Sequence, residues 1–427
     1  MLLLYVLRMR TKLSGCIRAL RKIKAAWIAL ILFLSVIILS RCMQQPEEND
    51  AIRGKGFAGS GQCRTCHQSV FDAYVQTAHY HTSSSADARS IKGSFAPGID
   101  SFVYSTHLWV LMQQKGNQFY QTLFENGRQL VTHPIDIVVG SGRKAQTYLY
   151  YDSARLFELP VSYFVPEHTW ANSPGFPPDT ARFDRFIPSG CFGCHSSGIA
   201  IKSQYEGFRL VETYKKGQII YGIDCERCHG PLAEHVAYHQ ANPSVTAPKF
   251  VNRISTLNRE QQIDMCSLCH SGSQQMQRQA FYYRPGDSLS SFFMPQSRSI
   301  LTTQLDVHGN QDQLMRASRC YLESKTLTCI TCHNTHVKER DQLAVFSQRC
   351  NTCHANVQHS FIKEDRNLAG YTSSNCIDCH MPLKPSSVIT MLTRHETSAH
   401  PDLIRTHWIK IYPEETAKIL AALRKGG

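Results

Sequence analysis

The first long apolar run is "AAWIALILFLSVIILS", residues 25–40, sixteen positions without a charge between Lys24 and Arg41. A spanning helix needs about 20 apolar residues, although flanking Lys and Arg side chains can snorkel. The apolar part of a secretory signal is usually shorter. Residues 1–42 therefore predict a membrane anchor or an export signal, and the basic stretch 8–24 predicts that the chain beyond residue 42 crosses to the outer side. Residues 43–60 are polar and glycine-containing and read as a linker. In the segment 61–100, "SVFDAYVQTAHYH" spaces Phe71, Tyr74 and Val75 as on one helix face.

Beyond residue 101 the pattern changes. "HLWVLMQQ", "QFYQTLFE", "QLVTHPIDIVV" and "LFELPVSYFV" are rich in β-branched and aromatic residues, and Asn126-Gly127 is a hairpin turn signal. They predict a small antiparallel β-module inserted over 101–185, closing in the turn-rich "NSPGFPPD". From 186 to 412 short helices are predicted around 205–216, 231–240, 258–268 and 341–350, the third capped by Asn258. A final amphipathic segment, 413–427, carries Ile419, Leu420 and Leu423. The pattern predicts a mainly α chain with much irregular structure around the inserted β-module.

One polar pattern recurs through these segments. Cys-x-x-Cys-His occurs seven times: Cys63, Cys66 and His67; Cys191, Cys194 and His195; Cys225, Cys228 and His229; Cys266, Cys269 and His270; Cys329, Cys332 and His333; Cys350, Cys353 and His354; Cys376, Cys379 and His380. Two thiols at this spacing can each form a thioether to one porphyrin vinyl group, which holds the next histidine under the iron. Zinc knuckles do not need a histidine directly after every pair, and disulfide scaffolds are usually short chains, whereas this one has 427 residues. The motifs predict seven covalently bound haem c groups, with those seven histidines as proximal ligands.

The formal charge of +13 would invite a nucleic-acid reading. However, eight Lys and Arg, and no acid, lie in residues 1–41, which leaves +5 for the rest. Two propionates on each of seven haems would turn that balance negative and engage many of the remaining cations. No nucleic-acid partner is expected. Of the other three cysteines, Cys320 reads as a buried thiol and Cys16 as incidental. Cys42, in "ILSRC", partly resembles a lipoprotein box, with Arg41 where a small residue is wanted. Anchor, lipidated Cys42 and cleaved soluble form remain three alternatives.

Thirteen further histidines are available as distal ligands. His336 lies three residues past His333, badly placed for the far face of its own haem and well placed for a neighbouring iron. His235 is six residues past His229 and can act likewise, and His79 follows the first motif on a predicted helix. His308, His359, His395, His400 and His407 are further candidates, whereas His107 and His133 read as sheet residues.

The chain resembles the multihaem cytochromes c related to the tetrahaem cytochrome c of nitrifying bacteria. More closely it resembles bacterial multihaem proteins that carry tetratricopeptide repeats behind the haem region. The likeness rests on "GSGQCRTCHQSVFDAYVQTAHYH", "PIDIVVGSGRKAQTYLY", "PEHTWANSPGF", "IDCERCHGPLAEHV", "FVNRISTLNREQQIDMCSLCH", "SRCYLESKTLTCITCHNTH" and "NCIDCHMPLKP". It implies a multihaem cytochrome c architecture, here without the repeats. It implies distal roles for the histidines in "TAHYH", "GPLAEHV" and "CHNTH", and it favours His407 in the tail. The expected function is electron transfer through closely packed bis-histidine haems on the periplasmic side of a bacterial inner membrane. The partners would be redox proteins or a membrane electron-transfer complex, with the N-terminal segment as the membrane attachment. The wider superfamily includes pentahaem nitrite reductase and hydroxylamine oxidoreductase. The alternative is therefore a periplasmic oxidoreductase acting on a small nitrogen or sulfur compound at one open haem. Against nitrite reduction, no motif here ends in lysine.

Overall fold

The computed structural model describes residue 35 and residues 52–426 except 273, 295–300, 365–367, 395 and 397. The anchor or signal segment (Ser35 apart), Cys16, Cys42, the first half of the linker and His395 lie outside the described residues. Among the described residues no helix is long and apolar enough to cross a membrane.

Four strands form in and around the runs rich in β-branched and aromatic residues. A four-stranded antiparallel sheet runs in chain order through Ser101–Val103, Leu108–Lys115, Gln118–Glu125 and Arg128–Pro134. Asn126 and Gly127 join the last two strands with φ of 50° and 78°. Two consecutive positive φ angles are what a tight right-twisted hairpin demands, and Asn-Gly reaches them with little strain.

A mainly α fold is not what forms. The described residues hold three antiparallel sheets, of nine, four and two strands. The nine-stranded sheet runs from Ser83–Ser85 through Ile137–Val139, Ala145–Asp152, Val161–Phe164 and Thr169–Asn172 to Leu383–Thr393 and His400–Arg405, with Arg155–Glu158 and Arg185–Phe186 to one side. Its far end is a hairpin from the chain's last fifty residues, where Thr393 pairs with Ala171 and Leu392 with Asn172. Pairing across such a separation leaves no local signal. The two-stranded sheet, Ser196–Glu206 with Arg209–Tyr221, replaces the helix predicted around 205–216. Gly207, at φ 64°, turns the chain in the middle of that window, and Val211, Thr213 and Tyr214 favour the extended backbone.

The main core gathers on the two larger sheets, around Phe102, Val110, Met112, Tyr148, Val161 and Trp170. Buried Gln121 joins them, donating to Val161 O at 2.6 Å and accepting from Val161 N at 3.2 Å. The helices are short, and half of the α-helices among the described residues carry all or part of a Cys-x-x-Cys-His motif. Asn258 and Gln261 form the expected capping box on the longest motif helix, Arg259–His270. Asp224 caps Cys225–His229, and Thr328 with Thr331 caps Cys329–Cys332. Helices also form at Ala233–Ala241, Leu343–Asn351 and Pro413–Gly426, close to their predicted positions.

Candidate haem-attachment site

The seven motifs, scattered over more than 300 residues, meet in space. The free thiols of Cys63 and Cys225, Cys194 and Cys269, Cys266 and Cys329, and Cys350 and Cys376 lie close enough for the members of each pair to perturb one another. Cys228 also feels the charge of Cys269, and Cys332 that of Cys353. These thiols stand in for the thioether sulfurs of the haem-loaded chain. These proximities place the motifs in the order first, third, fourth, fifth, sixth, seventh, with the second beside both the third and the fourth.

The histidines supply a test of whether haem fits. A metal–imidazole bond is about 2 Å and a ring centre lies about 1 Å behind its nitrogen, so two rings on one iron sit with centres about 6 Å apart. Five motif histidines have another imidazole at that distance. His67 faces His235 at 6.4 Å, and His229 faces His336 at 5.9 Å. His270 faces His79 at 6.1 Å, His333 faces His407 at 6.1 Å, and His380 faces His359 at 6.3 Å. Two unbridged imidazoles have no reason to hold that spacing five times. The residues fit the group.

The surroundings keep some of these rings neutral and aim others. Burial holds His270 and His407 down to about 4 and also lowers His79, His229 and His333. A neutral imidazole keeps the lone pair that a metal needs. His235 Nδ1 is 2.6 Å from Lys249 O, and His380 Nδ1 is 3.0 Å from Lys410 O. A ring N–H donated to a carbonyl fixes the tautomer and leaves Nε2 for iron.

The remaining candidates fall differently. His308 lies near enough to His195 for its charge to lower the pKa of that ring. His400 has both ring nitrogens on carboxylates, Nε2 at 3.1 Å from Glu167 and Nδ1 at 2.9 Å from Glu396, and packs on Phe164. The structure brings it to no motif histidine. His133 stacks on Tyr150 and Phe183 in the sheet. His354 is exposed, and among the described residues no histidine ring stands opposite it at the spacing of the five pairs. Cys320 is half-buried, its thiol raised chiefly by burial and also by Cys353.

Sequence reasoning missed the third motif's two variable residues. Glu226 is buried and accepts from Ala58 N, Gly59 N and Leu232 N at 2.8–2.9 Å and from Arg53 at 3.2 Å. Arg227 donates to Ala280 O at 2.7 Å and to Gly193 O, inside the second motif, at 2.8 Å. The signal was present: "CERCH" is the one motif with two charged residues between its cysteines.

Comparison with known proteins agrees with this chemistry. Residues 181–230, spanning the second and third motifs, match the family model described as cytochrome c554 and c-prime. Over 203 residues the chain is 22% identical to multiheme cytochrome MtrA of Shewanella baltica (strain OS185), covering 46% of this chain and 47% of that protein. The chain thus spans about half the length of the curated relative it matches. The crystal structure of outer cell wall cytochrome OcwA superposes with a TM-score of 0.50 at 15% identity, covering 85% of this chain and 82% of that one. That likeness concerns the fold alone. With the motifs, these similarities support a multihaem cytochrome c carrying covalently bound haem.

Proposed function

We propose that this chain conducts electrons through seven haems, most of them held between two histidines, on the periplasmic side of a bacterial membrane. The observation that carries the reading is the set of five imidazole pairs spaced 5.9–6.4 Å apart on motifs that touch one another. Haem iron, when bound, supplies a one-electron couple. The protein's part is geometric. Paired histidines would hold a bound iron from both sides in either oxidation state, so little reorganisation would accompany each transfer. Lys249 O and Lys410 O orient two of those rings. The adjoining sulfurs bring neighbouring attachment points together, which shortens each hop. Residues 25–40, or a lipid on Cys42, would hold the chain at the membrane near its redox partners. Haem quantified against protein in the exported, full-length chain tests the reading. Seven per chain with low-spin spectra is expected, and a smaller number or a largely high-spin population would sink it.

His354 favours a second reading, an oxidoreductase acting on a small nitrogen or sulfur compound at an iron left open on one side. On this reading, carbon monoxide shifts the Soret band of about one haem in seven in the reduced protein. The shift then disappears when Cys350 and Cys353 are replaced by alanine. No shift in the wild-type chain leaves the conducting reading alone.

A further inference from the structure

Arg227 is 8% exposed, an unusual place for a guanidinium. A buried cation normally has a carboxylate beside it, because desolvation is costly. Here the two nearest acids in sequence, Asp224 and Glu226, bind Arg53 instead, at 2.6 and 3.2 Å. None of the ion pairs among the described residues includes Arg227. Its partners are two neutral carbonyls, Ala280 O and Gly193 O, and the ring of Phe281 at 5.5 Å. Its Nε is buried without a partner.

The position of this charge is more telling than its burial. Arg227 belongs to the third motif, and Gly193 to the second. Gly193 O also lies 3.8 Å from Cys269 Sγ of the fourth motif. One carbonyl therefore joins three attachment sites to one guanidinium. The close approach is built in: a side chain at Gly193 would meet Ala280 Cβ at 2.9 Å.

We propose that Arg227 is the fixed buried charge that raises the reduction potentials of the haems attached at the second, third and fourth motifs, making that cluster the place where electrons settle. The inference rests on the seven-haem reading above. When a ferric haem takes up one electron from a redox partner, the iron site loses one unit of positive charge and nothing else is made or broken. A neighbouring cation without a counter-ion favours that reduced state, and in a low-dielectric interior its reach extends to each nearby site. Arg227 is thus a positioning and tuning residue, acting through the attachment sites.

The test is an anaerobic spectroelectrochemical titration of the full haem-loaded chain as wild type, Arg227→Gln and Arg227→Lys, with haem counted in each sample. Glutamine keeps a donor for the carbonyls and removes the charge, while lysine keeps the charge and loses the fork. The expected result is seven haems in all three. In Arg227→Gln at least two components move to lower potential, and Arg227→Lys stays close to wild type. Unmoved potentials in Arg227→Gln, or equal shifts in both variants, would overturn the proposal. So would an Arg227→Gln chain with fewer than seven haems beside a fully loaded wild type, because the residue would then serve assembly. A wild type with fewer than seven would instead count against the functional reading.

Discussion

At the scale of single residues, the facing imidazoles invite the most direct test. His407 is half-buried, held neutral by desolvation, and 6.1 Å from His333 across the gap an iron would fill. His407→Ala removes that ligand and leaves the covalent attachment through Cys329 and Cys332 untouched. The expected outcome is an unchanged haem count and one additional haem that binds carbon monoxide when reduced. An identical carbon monoxide response to wild type would show that His407 is not a ligand. Glu226 supports a second prediction. Its carboxylate holds three backbone N–H groups and Arg53, all in or next to the segments bearing the first and third motifs. Removing one partner of a buried ion pair costs about 3–5 kcal/mol. Glu226→Ala should lower the guanidinium midpoint of the haem-loaded protein accordingly, and a midpoint within error of wild type would refute that role. The proposed proximal ligands could be read from the sequence because covalent attachment writes its requirement into five consecutive residues. His79, His235 and His336 drew notice because each lies shortly after a motif, and the structure sets each opposite a motif histidine. Which ring faces which was hidden, because His333 meets His407 only after the intervening chain has folded. His400 is placed differently: its ring nitrogens lie near Glu167 and Glu396.

At the scale of elements, the hairpin Ser196–Tyr221 separates what the fold needs from what it carries. Its base is anchored by Ile199, Tyr214 and Ile219 in a buried cluster with Phe192. Its outer half is exposed, with Phe208 fully so at the tip. Ser203 and Glu212 are register partners, so replacing residues 204–211 by Asn-Gly closes the ribbon with a favourable two-residue turn. The shortened chain should load the same number of haems and keep its stability within about 0.5 kcal/mol, the usual range for changes away from packed surface. Lost haem would mean that the arm serves assembly. Trp170 is the contrasting case. It is fully buried, donates Nε1–H to Ser94 O at 2.8 Å and lies against Phe95, Tyr148 and Tyr163. Trp170→Ala should cost about 3–5 kcal/mol by calorimetry or denaturation. The four-stranded sheet was readable from alternation and one Asn-Gly turn. The nine-stranded sheet was not, because the strand Leu383–Thr393 finds its partner in Thr169–Asn172, and nothing local announces a pairing of that range.

At the scale of the whole molecule, the order in which attachment sites touch has kinetic consequences. The fourth motif adjoins three others, through Cys194–Cys269, Cys266–Cys329 and the approach of Cys228 to Cys269. Each direct contact between the first-and-third group and the fifth, sixth and seventh motifs traced by these sulfurs passes through it. The second motif meets the fourth through Cys194 and the third through Arg227, and lies off the direct line between the two ends. If electron hopping follows these contacts, the two positions are unequal even though each carries one haem. Replacing Cys266 and Cys269 by serine, with six haems retained, should slow reoxidation at one end after reduction at the other, because the middle hop is lengthened. Replacing Cys191 and Cys194 in the same way should leave through-transfer close to wild type, since the second motif is not on the path. Stopped-flow kinetics on both variants, with haem counted in each, separates the cases. Equal slowing in the two would mean that the sulfur contacts do not order the path, and that the route is set by other edges of the haems.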